Sequence, residues 1–285
     1  YIILFDKMKK KVILVLGNLG MAGHVIQRYF ENTNKYTVIG LNRKDLDMTD
    51  YIKLEQKLLL YNPDIVINCV GLLNDPHSIQ DYADVNIVFP RMLDYLSKQE
   101  GHKFKLIHIS TNCVFKDIIH KDNDKPDAQD WYGQSKAFGE IDNNKNLTIR
   151  TSIIGPELKK NGIGLFHKFV TDKKFLTGFT NVYWNGVTTL ELAKYIEDAM
   201  DFKTGIVNYH TFNIISKHDL LQIINEVFDL NKKLNKKENY DAHQALLIGD
   251  ATDLSFEEQL MELKQFMIKN KDLYKNIYKI MEEKE

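Results

Sequence analysis

A doubly wound α/β fold, in which helices cover both faces of a parallel sheet, is predicted by three observations. Residues 12–16 are an unbroken run of Val, Ile and Leu that leads into Gly17-Asn18-Leu19-Gly20-Met21-Ala22-Gly23. Short apolar runs recur at 36–41, 64–70, 104–109 and 147–151, separated by stretches with helical spacing. Runs that are apolar at nearly every position read as strands buried on both faces, and strand–helix alternation makes such a sheet parallel. Between the last two runs, Tyr132 precedes Lys136 by four positions, so a helix there would present both side chains on one face.

The elements follow in order. Residues 21–30 continue the glycine segment as a helix. A second helix spans 50–60, with Asp50 as its N-cap, and Asn62-Pro63 turns the chain into the third strand. Residues 81–97 read as a helix with Pro90 inside it, which predicts a kink or irregularity. Asp130 caps the helix over 131–140. Past residue 152 the pattern loosens, punctuated by Gly155-Pro156 and Gly162-Ile163-Gly164. A helix is expected at 188–200, strand material at 205–215, and a helix capped by Ser216 through 228. Residues 231–239, rich in Lys and Asn, read as a loop, and Ser255 with Glu258 forms a capping box. The expected division is a Rossmann-type dinucleotide-binding domain over 1–151 plus about 181–203, with a smaller α/β substrate-binding lobe over 152–180 and 204–285.

Bulk properties narrow the function. The 285 residues are 44% apolar and 27% charged, as in an ordinary globular chain, and the formal net charge of −1 argues against nucleic-acid or anionic-membrane partners. Lys9-Lys10-Lys11 and Lys232-Lys233 read as solvated surface. Two cysteines, Cys69 and Cys113, are too few for a disulfide scaffold and fit a reducing cytoplasm. No apolar run reaches membrane-spanning length. The first seven residues, ahead of Met8, read as leader or added sequence.

The glycine segment follows a strand and opens a helix. Glycines there let backbone N–H groups approach a pyrophosphate at the positive end of the helix. A tight strand–helix turn would use the same residues. After the second strand comes Leu41-Asn42-Arg43-Lys44, with no acid until Asp45. An acid would bond the ribose 2′-hydroxyl of NAD, whereas cations suit a 2′-phosphate, so NADP(H) is favoured; the alternative is that Arg43 and Lys44 are surface charges. Ligands of open α/β sheets bind outside the carboxyl ends of the strands, which places Thr111 to bond a substrate oxygen. Tyr132 could deliver a proton to the same oxygen, its pKa lowered by Lys136. A hydroxyl donor, a phenol and a lysine beside a hydride carrier make a carbonyl reductase. Each part has a bland reading, as a turn residue or a chance pair; their order along the chain favours the chemistry.

These residues carry a family resemblance. The chain resembles the extended short-chain dehydrogenase/reductases, and among them dTDP-4-dehydrorhamnose reductase and related reductases of nucleotide-linked 4-keto-6-deoxysugars. The markers are the segments 17–24, 46–50 and 63–68, Val85-Asn86, 108–111, Cys113-Val114-Phe115, Tyr132-Gly133-Gln134-Ser135-Lys136 with its continuation to Glu140, and Arg150-Thr151-Ser152. The resemblance implies Tyr132 as proton donor, Lys136 as holder of the nicotinamide ribose, and Thr111 as the group orienting the keto oxygen. It implies cofactor contacts from Gly17, Asn18, Leu19, Gly20, Met21 and Gly23, from Asn42 and Arg43, from Asp47 and Met48 near the adenine, and from Cys69, Val70 and Gly71. Asn112, Trp184 and Asn185 would border the nucleotide-sugar substrate. A homodimer is implied by family habit.

Two departures matter. Asn112 stands where these reductases often carry Asp, and residues 240–250 match the dehydrorhamnose reductase pattern poorly. A UDP-linked 2-acetamido-2,6-dideoxy-hexulose is therefore a second candidate substrate, suggested by the 184–189 stretch. Rival readings are an epimerase or dehydratase of the same superfamily and a non-catalytic, NADP-binding regulatory subunit. Asn112 and Cys113 occupy positions where the dehydratases place an acidic pair. No metal is expected: His77, His167 and His243 lack metal-ligand spacing, His24 reads as packing or capping, and His108 as a satisfied core histidine.

Overall fold

The frame, seen in a computed structural model, is a seven-stranded sheet with every pairing parallel. The structure describes residues 9–73, 77–116, 119–240 and 245–278. The expected leader segment and His243 lie outside the described residues. Chain order gives β1 (Val12–Leu16), β2 (Thr37–Leu41), β3 (Ile65–Asn68), β4 (Lys105–Ile109), β5 (Leu147–Arg150), β6 (Gly205–Thr211) and β7 (Asp250–Thr252), arranged in space as β7-β6-β5-β4-β3-β1-β2. The chain reverses its direction of winding between β1 and β3, so a crevice opens at the carboxyl ends of these two strands.

Alternation along the strands builds a core on each face. Ile13 and Val15 join Ala22, Ile26 and Phe30 of α1 (Met21–Thr33). Leu14 and Leu16 join Leu54 and Leu58 of α2 (Tyr51–Tyr61) and Phe89, Leu93 and Leu96 of α3 (Phe89–Ser97). Burial on both sides explains why β1 carries no polar residue. Asp50 accepts from Lys53 N, and Asp130 accepts from Gly133 N to start α4 (Trp131–Gly139). The irregularity expected at Pro90 is present upstream of it: residues 83–88 form a π-helical stretch that runs directly into α3. Proline has no N–H to return to Asn86, which is consistent with the widened turn.

A second core sits beside the sheet. It gathers Phe166 and Phe169 of α5 (Leu165–Thr171), Leu190 of α6 (Thr189–Ala199), Leu220, Leu221 and Ile224 of α7 (Lys217–Val227) and Leu260, Leu263 and Met267 of α8 (Phe256–Lys269). Tyr274, in α9 (Lys271–Tyr274), and Tyr278 close it. Ser216 and Ser255 cap α7 and α8 through Asp219 N and Glu258 N.

Two expectations are corrected. Residues from 204 onward do not belong wholly to a separate lobe. β6 pairs with β5 and β7 with β6, because the sheet needs further partners to cover the far edge of β5. Nor is 231–239 all loop: Asn235–Lys237 pairs in parallel with Thr177–Phe179. Its side chains are exposed, so composition could not reveal the pairing.

Candidate active site

The glycine turn forms under steric command. Gly17 adopts φ +78°, a conformation that favours glycine, and a Cβ on Gly23 would overlap the Gly17 carbonyl oxygen. Gly17 N donates to Leu41 O at 2.8 Å and Cys69 N to Leu16 O at 3.0 Å, tying the turn to β2 and to the end of β3. Gly20 is the N-cap of α1 and provides no side chain, and the first turn carries no acid. The helix therefore opens on the crevice with free N–H groups and an uncompensated positive end. That arrangement fits a pyrophosphate.

A cavity of about 410 Å³ lies in front of this turn. Its wall includes Leu19, Gly20 and Met21 from the glycine segment, Cys69, Val70 and Gly71 after β3, Thr111, Asn112 and Cys113 after β4, and Tyr132 and Lys136 from α4. The three residues expected to carry the chemistry thus share one space. Gly133 makes this possible: a Cβ there would overlap the Cys113 carbonyl oxygen, so only glycine lets α4 press against the Thr111 turn.

Lys136 Nζ donates to Ile109 O at 2.8 Å, and burial pulls its pKa down to about 8, opposed by the nearby Glu140 carboxylate and Cys69. It remains largely an ammonium near neutrality. The Tyr132 phenol behaves differently from the sequence expectation. Burial first, then the neighbouring Cys113 and Asp130, push its pKa upward, and a hydrogen bond with the Thr111 hydroxyl pulls the other way. Desolvation outweighs any help from Lys136, whose ammonium is turned to the β4 carbonyl. Tyr132 therefore keeps its proton, as an acid must before it donates. Burial also raises both thiols, Cys69 to about 12, which leaves them protonated and unsuited to redox exchange.

α4 is anchored from below. Glu140 accepts from Arg150 Nε at 2.8 Å and Nη2 at 2.7 Å, and from Ser110 Oγ at 2.7 Å. Arg150 also lies over the Phe115 ring. This buried bidentate pair, with its remaining hydrogen bonds made, fixes the end of α4 to the ends of β4 and β5.

Other expected residues lie away from the cavity wall. Asn18 donates through Nδ2 to Gln27 Oε1 and supports the turn from behind, as Gly17 and Gly23 do by shape. Asn42, Arg43, Asp47 and Met48 lie beyond β2: Arg43 is exposed, Asp47 bonds Thr49, and Met48 packs on the core. Asp45 accepts from Asn42 N, so the nearby acid is spent within its own turn. Trp184 and Asn185 are structural here. Trp184 is fully buried against Phe256 and donates to Ser152 Oγ, and Asn185 bonds Leu247 O and N. Asn112 does reach the wall, but its Nδ2 is committed to Ala245 O at 2.7 Å. His24 braces the Gly20 carbonyl and Tyr274, and burial lowers its pKa to about 4.

Sequence reasoning gave no role to several residues that matter. Ser152, Glu157, Lys159 and Gly164 line the cavity from the loosely patterned region. Glu157 accepts from Gly164 N and is bonded through its own N–H to Tyr278. Asn86, a marker without a role, braces the segment after β3 from the π-helical stretch.

Comparison with known proteins agrees with this fold. The family model described as RmlD substrate binding domain matches residues 10–243. A dTDP-4-dehydrorhamnose reductase of Aggregatibacter actinomycetemcomitans is 25% identical over 148 residues, which is 49% of this chain and 50% of that protein. The chain thus spans about half the length of that curated relative. The fold matches a dTDP-4-dehydrorhamnose reductase from Clostridium acetobutylicum with a TM-score of 0.75 at 20% identity, covering 90% of this chain and 99% of the other. It also matches dTDP-4-dehydrorhamnose reductase from Bacillus anthracis, solved in complex with NADP, with a TM-score of 0.74 at 19% identity, covering 92% and 100%. With a match that runs from the strand before the glycine turn past α4, the chain belongs to the RmlD substrate-binding-domain family.

Proposed function

We propose that this protein reduces the C4 keto group of a nucleotide-linked 4-keto-6-deoxysugar with NADPH. The observation that carries the reading is the convergence of Thr111, Tyr132 and Lys136 on a cavity faced by an uncapped, glycine-lined helix N-terminus. The first turn of α1 would hold the pyrophosphate, Lys136 the nicotinamide ribose, and Arg43 with Lys44 the 2′-phosphate. The bound nicotinamide supplies the hydride. Thr111 orients the keto oxygen, and Tyr132, protonated because it is buried, delivers its proton to that oxygen. Lys136 then stabilises the phenolate left behind.

The relatives' names support a dTDP-linked sugar, and the UDP-linked 2-acetamido-2,6-dideoxy-hexulose stays as the second candidate. Elimination chemistry is disfavoured: Asn112 is tied to Ala245, and Cys113 is a protonated thiol. A homodimer is part of the proposal. The deciding experiment follows NADPH absorbance with a panel of dTDP- and UDP-linked 4-keto sugars. Turnover with at least one is expected; NADPH oxidation with none would overturn the reading in favour of a regulatory role.

A further inference from the structure

One wall of the cavity is not absorbed by this chemistry. The loop over residues 157–164, which leads into α5, contributes Glu157, Leu158, Lys159 and Gly164 to it. The loop is built as a fixed mount. Glu157 Oε1 accepts from Gly164 N at 2.6 Å and closes it at the base. Glu157 N donates to the Tyr278 hydroxyl at 2.7 Å, and that hydroxyl meets His167 Nδ1 at 2.8 Å. The other nitrogen of the ring, Nε2, lies 3.3 Å from Lys160 O; a carbonyl can only accept, so this nitrogen carries a hydrogen. Gly162 N donates to Lys159 O at 3.2 Å. A Cβ on Gly162 would stand 2.8 Å from both Glu157 Cδ and His167 Cγ, so a side chain there would crowd the turn. The backbone on both sides of Lys159 is thus pinned to two buried residues, Tyr278 and His167.

This mount comes up against the first turn of α1. A Cβ on Gly164 would lie 3.3 Å from Met21 Sδ, and Met21 and Lys159 line the same cavity. Among the described residues of the wall the cations are Lys136 and Lys159, and the carboxylate is Glu157. Lys136 is bonded to Ile109 O and, in the reading above, holds the nicotinamide ribose, while Glu157 is turned to Gly164 N. A helix N-terminus offers about half an elementary charge. A diphosphate carries more negative charge than that, and a lysine fixed beside the helix end supplies what the helix lacks.

We propose that Lys159 completes the dinucleotide diphosphate site: the 157–164 loop holds it where the cavity wall meets the first turn of α1, and its ammonium pairs with the diphosphate that the helix N–H groups bind. The assignment rests on the NADPH reading above. It adds a cation that neither the glycine turn nor the residues past β2 provide, and it gives Tyr278 and His167 a part in cofactor binding through the backbone they hold.

The test is calorimetric titration with NADPH and with NADH, which share the diphosphate and differ at the 2′-phosphate. Lys159→Met is expected to weaken both by the same factor, about tenfold at low salt, the usual loss of a charge-assisted contact. Lys159 is exposed and therefore screened, so the variant should also show a flatter dependence of affinity on salt. Lys159→Arg should retain most of the affinity. If Lys159→Met does not fold, Lys159→Gln serves in its place. A loss confined to NADPH would move Lys159 to the 2′-phosphate. A loss for dTDP or UDP titrated into the NADP-loaded protein, with NADPH unchanged, would move it to the substrate. Either result, or unchanged affinity throughout, overturns the Lys159 assignment alone. If the wild-type protein binds neither dinucleotide, the NADPH reading falls and takes this assignment with it.

Discussion

Asn86 holds Leu72 by both of its backbone groups. Its Oδ1 accepts from Leu72 N at 2.8 Å, and its Nδ2 donates to Leu72 O at 3.3 Å and to Ser135 Oγ at 3.0 Å. One buried amide thereby sets the segment after β3 against α4, two walls of the same cavity. Asn86→Ala is expected to leave two backbone groups unpaired, at about 1–3 kcal/mol. NADPH affinity, followed by fluorescence quenching, should fall roughly tenfold, with a smaller change in the substrate KM.

Tyr132→Phe removes the hydroxyl that would donate the proton, together with its hydrogen bond to Thr111. The ring still fills its place, and the Thr111 turn remains closed over Gly133. NADPH affinity should stay within about twofold of wild type, while kcat falls by roughly 10² or more. Single-turnover absorbance with NADPH preloaded separates the two effects, and full activity would remove Tyr132 from the mechanism.

Arg43 is, with Lys44, an exposed cation just past β2. If it meets the 2′-phosphate, Arg43→Ala should raise the KM for NADPH by about tenfold or more and leave that for NADH unchanged. Equal effects on both cofactors would make Arg43 a surface charge.

Acid should unfold the protein through its histidines. Burial holds His24 at about 4 and His108 well below its ordinary 6.5. Both are depressed in the folded state, so the unfolded chain takes up protons first as pH falls below 6.5. The stability they contribute is intact above that value and is lost on the way down to the folded-state values. Between pH 6.5 and 5 His24 would cost about 2 kcal/mol, and His108 acts in the same direction. Urea midpoints measured across that window should fall steeply for wild type and less steeply for His24→Gln. Parallel slopes would remove His24 from the account.

The sequence revealed local chemistry better than side-chain destination. Asp50, Asp130, Ser216 and Ser255 cap the helices assigned to them because a cap is decided within three residues. The glycine turn and Tyr132–Lys136 were legible for the same reason. Trp184 and Asn185 were placed on the substrate by the family resemblance alone, yet their partners, Ser152 and Leu247, lie 32 and 62 positions away. The raised Tyr132 pKa escaped notice for a related reason: helical spacing reports which groups share a face, while burial depends on what the rest of the chain packs over them.

The bracing of Gly20 has a consequence for how the chain matures. His24 holds the Gly20 carbonyl, and its other nitrogen is held by Tyr274, 250 positions downstream. Tyr278 similarly secures Glu157 from 121 positions away. On a ribosome the glycine turn emerges well before Tyr274, the residue that completes its brace. A nascent chain halted before residue 274 would carry the glycine turn without its brace, so the rigidity of the turn should follow the arrival of Tyr274 and not the appearance of the glycines themselves.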